Sequence, residues 1–80
     1  SQVGHTKAAA GAASIIKAVL ALHHKVLPGM IKVTKPNPKL GLEGSAFTIG
    51  QRSRPWLPPT AGHPRRAAVS SFGFGGSNFH

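Results

Sequence analysis

Two short stretches of this 80-residue chain contain the residue types that most readily do chemistry. The first is centred on His5, which follows a glycine at the start of a predicted helix. The helix macrodipole disfavours an added positive charge at that end, and a neutral imidazole can donate a hydrogen bond to an oxygen that becomes negative. His5 is therefore a candidate catalytic residue, with a simple capping role as the alternative.

The second stretch is a glycine-rich segment after a predicted strand, formed by Gly73, Phe74, Gly75 and Gly76. It lacks the lysine of a phosphate-binding loop and the glycine spacing of a dinucleotide fingerprint, and no helix follows it. Two interpretations stay open. The spacing alone favours a tight turn between strands. The other interpretation is a loop whose N–H groups face a ligand oxygen, in which Gly75 and Gly76 need backbone angles or close approaches that a Cβ forbids.

A long amphipathic helix must position His5. Apolar residues recur at about 100° per residue from Ala8 to Leu27, with lysines and His24 on the opposite side. Thr6 is the expected N-cap, and Pro28 ends the pattern. The first turns are small on every side, which predicts a helix packed between layers of a larger body.

Strands are predicted more weakly. Residues 31–33 and 46–49 alternate like short strands, and residues 54–59 must be extended because each proline biases its predecessor away from helix. Residues 60–64 are expected to form an exposed turn. The strongest strand pattern is at residues 66–72, directly before the glycine-rich segment.

The composition bounds the class of protein. The formal net charge is +9, with Glu43 as the only acid, which usually indicates a nucleic-acid partner. The cations are scattered, however, and no aromatic and basic residues alternate as in a stacking platform. There is no cysteine, so no disulfide or thiolate metal site is expected, and no metal site of another kind is predicted. No apolar run has the length of a membrane span, and we expect a cytoplasmic protein.

Both stretches resemble the β-ketoacyl synthase family. Residues 3–11, Val-Gly-His-Thr-Lys-Ala-Ala-Ala-Gly, resemble its Asn-Ile-Gly-His-Thr motif and the Ala/Gly-rich helix that follows. Residues 71–80, Ser-Phe-Gly-Phe-Gly-Gly-Ser-Asn-Phe-His, resemble its closing Ser-Phe-Gly-Phe-Gly-Gly-Thr-Asn-Ala-His stretch. Matches at 36–38, 42–44 and 54–56 extend the resemblance to modular polyketide synthases over the whole chain, and Phe79 is closer to the polyunsaturated-fatty-acid type.

The resemblance implies an α/β, thiolase-like fold with αβαβα layers in the parent protein. Residues 1–80 would be an incomplete C-terminal part of a ketosynthase domain. They would contribute one long helix and a few short strands from the second half of that domain.

The resemblance also implies a reaction. Such an acyltransferase condenses an acyl thioester with malonyl-acyl carrier protein by decarboxylative Claisen condensation, in fatty acid or polyketide synthesis. The substrates are carried on phosphopantetheine, and no cofactor is bound directly. The implied partners are the acyl carrier protein, the rest of the domain and a second copy in a homodimer, without nucleic acid or membrane.

Site roles follow from the same resemblance. His5 matches the family's second histidine, which stabilises negative charge on the malonyl thioester oxygen. Gly73, Phe74, Gly75 and Gly76 match the gating loop, and the Phe74 N–H forms half of the oxyanion hole.

The sequence departs from the family in one chemical respect. The nucleophilic cysteine and the first histidine are absent. The isolated chain is expected to be inactive, because covalent catalysis without a nucleophile has no first step. Two alternatives remain: a small basic nucleic-acid-binding module, and a non-catalytic subunit like a chain-length factor.

Overall fold

One helix dominates the structure, a computed structural model that describes residues 2–80 except for the side chain of Ala61. Helix α1 spans Ala10–His24 and follows a 3₁₀ turn at Lys7–Ala9. The predicted helix is confirmed, but it is shorter at both ends than its apolar pattern. Lys7 has a φ of 50° and Lys25 a φ of 56°. Both are left-handed, so the chain leaves the α conformation on each side of α1 before Pro28 is reached.

The predicted cap at Thr6 is wrong in its mechanism. Thr6 does precede the 3₁₀ turn, with φ −98° and ψ 21°, but its side chain makes no capping hydrogen bond. An N-cap residue is normally extended, and Thr6 does not have that backbone conformation. Its Oγ1 atom is buried and has no hydrogen-bond partner within the part of the chain that the structure describes.

In the described part of the chain, four two-residue strands form two antiparallel pairs. Strand β1 (Val26–Leu27) pairs with β2 (Arg54–Pro55), and β3 (Ser71–Phe72) pairs with β4 (Asn78–Phe79). The extended segment predicted at 54–59 is confirmed at residues 54 and 55, which form strand β2. The turn expected at 60–64 is present as a 3₁₀ turn at Thr60–Gly62, and another lies at Pro38–Leu40.

The other strand predictions are wrong or too long. Residues 31–33 form no strand: residues 31 and 32 form a turn, in which Lys32 has a left-handed φ of 60°. Residues 46–49 form no strand, and the strand expected at 66–72 is limited to β3. Alternation describes a strand only where a neighbouring strand pairs with it, and no described segment pairs with 46–49 or 66–70.

The segment after α1 is joined to the segment before β2 around Gly29. The Gly29 N–H donates to Ser53 Oγ at 3.0 Å, and the Met30 N–H donates to the Gly50 carbonyl at 2.8 Å. Beyond β2, the Trp56 N–H donates to the Lys25 carbonyl at 2.7 Å. These bonds extend the short β1–β2 pair on both sides.

The described residues enclose no apolar core. No hydrophobic side chain among them is buried, and the helix residues Ile15, Ile16, Val19 and Leu20 are each at least half exposed. The radius of gyration is 14.3 Å. A compact domain of this length would have about 12 Å. Both faces of α1 therefore present apolar surface that these residues do not cover.

Among the glycines, Gly29 leaves the least room for a side chain, and its replacement gives a first test. A Cβ at Gly29 would lie 2.8 Å from the backbone carbon of Arg52 and 2.8 Å from the backbone nitrogen of Ser53. In a complete domain that carries these residues, Gly29→Ala should lower the free energy of unfolding by about 1–3 kcal/mol, because backbone atoms must move. A urea melt measures the change.

Gly50→Ala is the matched control. Gly50 belongs to the same pair of segments, but a Cβ there meets nothing within 4 Å. Equal melts for the two variants would show that the close approach at Gly29 does not constrain the fold.

Candidate functional site

A close approach between α1 and β3 places the C-terminal hairpin beside the start of the helix. A Cβ at Gly11 would lie 3.2 Å from Ser71 Oγ, which is tighter than ordinary side-chain contacts. Glycine in the first turn of α1 therefore lets the hairpin approach the helix backbone. Since His5 lies just before this turn, the contact brings the two ends of the chain together.

The glycine-rich segment is the turn of that hairpin. The Gly76 N–H donates to the Gly73 carbonyl at 3.0 Å, and the Gly73 N–H donates to the Ser77 carbonyl at 2.9 Å. Gly76 has a φ of 87°. Beyond the ladder, Ser70 Oγ lies 2.7 Å from His80 Nδ1 and joins the open end of the hairpin. The turn that the spacing favoured is thus present, and it does not exclude a ligand role for the same loop.

His5 and this turn line one cleft of about 600 Å³. The helix side contributes a histidine, a lysine and a small residue, and the hairpin contributes three aromatic side chains with two serines and a glycine. The lining residues are His5, Lys7, Ala8, Ser71, Phe72, Gly73, Phe74, Ser77 and Phe79. Of the residues predicted for the site, His5, Gly73 and Phe74 line this cleft, whereas Gly75 and Gly76 do not.

The two predicted hydrogen-bond donors belong to exposed residues. The side chains of His5 and Phe74 are exposed, the latter completely. No backbone hydrogen bond uses the Phe74 N–H within the described part of the chain. An imidazole and a free backbone N–H on the walls of one cleft can each donate to an oxygen of a bound ligand.

Sequence reasoning missed Lys7 and the two other aromatic residues of the cleft, Phe72 and Phe79. Lys7 lies two positions after His5, and the sequence pattern places it on the solvent-facing side of the helix. The structure gives it a left-handed backbone instead, which costs on the order of 1–2 kcal/mol for a residue with a Cβ. Phe72 and Phe79 stand on either side of the glycine turn in the sequence, and this position could have identified them as residues of the cleft.

Two other clefts follow the faces of α1 and are mainly apolar. One, of about 430 Å³, lies between Ile15, Val19 and the segment that contains Val69. The other, of about 510 Å³, is lined by Ile16 and Leu20 together with residues before the helix and after it. They follow the exposed apolar faces of the helix, and neither is lined by His5 or Phe74.

Two features are absent from the described residues. No group of three His, Asp or Glu side chains among them could hold a metal ion. No helix in that part of the chain has both the length and the apolar character that crossing a membrane requires.

Comparison with known proteins identifies the family. Residues 1–34, which include His5 and α1, match the model described as the β-ketoacyl synthase, C-terminal domain. The whole chain is 50% identical over 80 residues to the Spectinabilin polyketide synthase system protein NorA of Streptomyces orinoci, covering 100% of this chain and 4% of that protein. It is 51% identical over 84 residues to a polyunsaturated fatty acid synthase protein of a Thraustochytrium species, covering 100% of this chain and 3% of that protein.

A third relative extends the same pattern. Polyketide synthase GfsE of Streptomyces halstedii is 48% identical over 80 residues, covering 100% of this chain and 2% of the relative. No solved structure matches the chain. These matches identify the chain as a C-terminal part of a ketosynthase domain of the β-ketoacyl synthase family. The chain spans no more than 4% of the length of the three relatives named here. The similar identities do not separate the polyketide type from the polyunsaturated-fatty-acid type.

The glycine turn gives a second test and corrects one expectation. Gly76 needs its glycine, because its φ of 87° is left-handed. Gly75 does not, since its φ lies outside that region and a Cβ there meets nothing within 4 Å. In a complete ketosynthase domain that carries these residues, Gly76→Ala should cost about 1 kcal/mol or more in the free energy of unfolding.

The same denaturant melt on Gly75→Ala is the control, with a change close to zero expected. A larger loss for Gly75→Ala than for Gly76→Ala would contradict this hairpin geometry.

Proposed function

We propose that residues 1–80 lie within one ketosynthase domain that condenses an acyl thioester with malonyl-acyl carrier protein. The relatives are synthases of polyketides and polyunsaturated fatty acids by their names, which supports a synthase of this kind. The observation that carries the proposal is that His5 and the Phe74 turn, although far apart in sequence, line the same cleft. The cysteine nucleophile and the first histidine would come from the rest of the domain.

In this proposal His5 acts in decarboxylation. The bond between the malonyl methylene carbon and its carboxylate breaks, carbon dioxide leaves, and the electron pair is delocalised onto the thioester oxygen. The His5 imidazole donates a hydrogen bond to that oxygen as it becomes negative. A donor held in place before the reaction stabilises such charge without reorganising, which is the principle of an oxyanion hole.

The Phe74 N–H acts in the acyl transfer steps. When a thiolate attacks the acyl carbonyl, its oxygen becomes negative, and the N–H groups of Phe74 and of the cysteine donate to it. The exposed Phe74 ring supports a gating role, because the described residues do not bury it. The left-handed glycine at position 76 supplies a flexible point beside it.

The rest of the domain would cover the apolar surfaces of α1. We place α1 between layers of a thiolase-like αβαβα body, since both faces of the helix are apolar and exposed in this chain. Acyl carrier protein with phosphopantetheine-bound substrates, and a second ketosynthase copy in a homodimer, are the proposed partners. A cytoplasmic location stays a prediction.

The comparisons do not favour the two alternatives. A nucleic-acid-binding module would need its cations to converge, and a salt series between 50 and 200 mM would then change the affinity about a thousand-fold. A chain-length-factor-like subunit would share the fold and lack the cysteine. The coding sequence before Ser1 separates that subunit from an enzyme.

The proposed role of His5 predicts a selective defect. In the complete ketosynthase, His5→Ala should slow malonyl decarboxylation about 100- to 1,000-fold, the usual effect of losing one oxyanion donor. Transfer of the acyl group to the cysteine should be largely retained. Carbon dioxide release and single-turnover acylation measure the two steps. His63→Ala, an exposed histidine that lines none of the three clefts described above, is the control, and normal decarboxylation by His5→Ala would refute the role.

The proposed gate predicts a defect without loss of stability. In the complete ketosynthase, Phe74→Ala should change the free energy of unfolding by no more than about 0.5 kcal/mol, because a gating side chain that moves between positions makes no fixed packing contact. It should nevertheless impair acyl loading or condensation, measured in single-turnover acylation beside a denaturant melt. Phe47→Ala is the control, since Phe47 is also exposed and lines none of those three clefts. Activity that falls only in proportion to stability would leave the loop as a plain turn.

A further inference from the structure

We propose that the ammonium group of Lys7 binds the carboxylate of the extending thioester and so distinguishes that substrate from the acyl thioester. This inference rests on the proposed ketosynthase function and adds a specificity-determining residue to it.

The cleft has two chemically different walls. Lys7 is the only Lys, Arg, Asp or Glu side chain among its lining residues, and it lies on the helix side with His5. Phe72, Phe74 and Phe79, which belong to the hairpin, supply the apolar part of the lining. A charged group is bound more strongly beside an apolar wall than in open water, because less water screens it. The cleft therefore fits a ligand that joins a carbonyl oxygen, an anionic group and an apolar portion.

Position along the chain determines which anion Lys7 can reach. Lys7 follows His5 by two residues, so their Cα atoms are at most about 7 Å apart. In a malonyl thioester one methylene group separates the carboxylate from the thioester carbonyl, so a substrate with its carbonyl oxygen at His5 carries its carboxylate within reach of Lys7. The phosphate of a phosphopantetheine arm lies at the opposite end of the arm from the thioester. The malonyl carboxylate is therefore a better partner for Lys7 than the phosphate of the arm.

The backbone of Lys7 supports a functional position. Its φ of 50° is left-handed, and residues with a Cβ adopt this conformation rarely and preferentially at functional sites. This conformation separates Lys7 from the regular α1 helix, so it is not one of the residues that follow the helical face. Lys17, by contrast, lies within α1 and lines a cleft on another face of the helix.

The chemistry of decarboxylation determines whether binding by Lys7 affects KM or kcat. The carboxylate is present in the bound substrate but is lost as carbon dioxide when the carbon–carbon bond breaks. An ion pair with Lys7 is therefore made in the ground state and weakened in the transition state. Such an interaction lowers KM without raising kcat.

The test compares Lys7→Met with the unsubstituted enzyme in the complete ketosynthase. The KM for malonyl-acyl carrier protein should rise about 10-fold, the size of one charge-assisted hydrogen bond, while kcat for decarboxylation does not fall. The KM for acyl loading, measured with an acyl-acyl carrier protein that has no carboxylate on its acyl group, should not change. Lys7→Arg should restore most of the malonyl affinity, and Lys17→Met should behave like the unsubstituted enzyme.

Three results would overturn the inference. Equal rises in both KM values would assign Lys7 to the phosphate of the arm or to the carrier protein. Unchanged KM values would remove any binding role, and a fall in kcat for decarboxylation would place Lys7 in the transition state. If the unsubstituted enzyme neither loads acyl groups nor decarboxylates malonyl groups, the proposed function itself fails. If it does both and Lys7→Met changes nothing, only the inference about Lys7 fails.

Discussion

The contact between Gly11 and Ser71 is the constraint on which the site depends. The start of the helix and the C-terminal hairpin approach each other there, and a Cβ added at Gly11 would lie 3.2 Å from Ser71 Oγ. His5 precedes this helix and Phe74 lies in this hairpin, and both residues line the one cleft. The Ala/Gly-rich beginning of the helix thus has a specific use, since a large side chain in its place would hold the hairpin away.

The local constraints are strong although the described residues have no core of their own. Gly29 against Arg52 and Ser53, and Gly76 at a φ of 87°, each fix a short piece of backbone. The apolar faces of α1 stay exposed at the same time. A structure of this kind is locally determined by glycines and turns, whereas its global stability must come from surfaces that cover the helix. In the proposed ketosynthase, the neighbouring layers provide them.

Sequence reasoning predicted the local features better than the long-range ones. The apolar periodicity predicted α1, and the glycine spacing predicted the turn, because both depend on a few consecutive residues. The strands at 31–33 and 46–49 were wrong, since pairing partners are not visible in a local pattern. His5 and Phe74 were both selected from sequence, but their shared cleft depends on the Gly11 contact. Lys7 was missed because its left-handed backbone cannot be inferred from a lysine beside an alanine run.

The two sides of the cleft differ in how firmly their backbone is held in place, and the proposed chemistry depends on that difference. His5 directly precedes the 3₁₀ turn and α1, the longest element, which the surrounding layers would hold in place. Phe74 lies in a hairpin turn between two-residue strands, next to a glycine that permits other backbone angles. A donor for decarboxylation must be preorganised, because any movement would cost part of the stabilisation of the enolate. A donor that also opens the site to a new acyl chain must move between turnovers. Placing one donor before a helix and the other on a glycine turn satisfies both requirements within a single cleft.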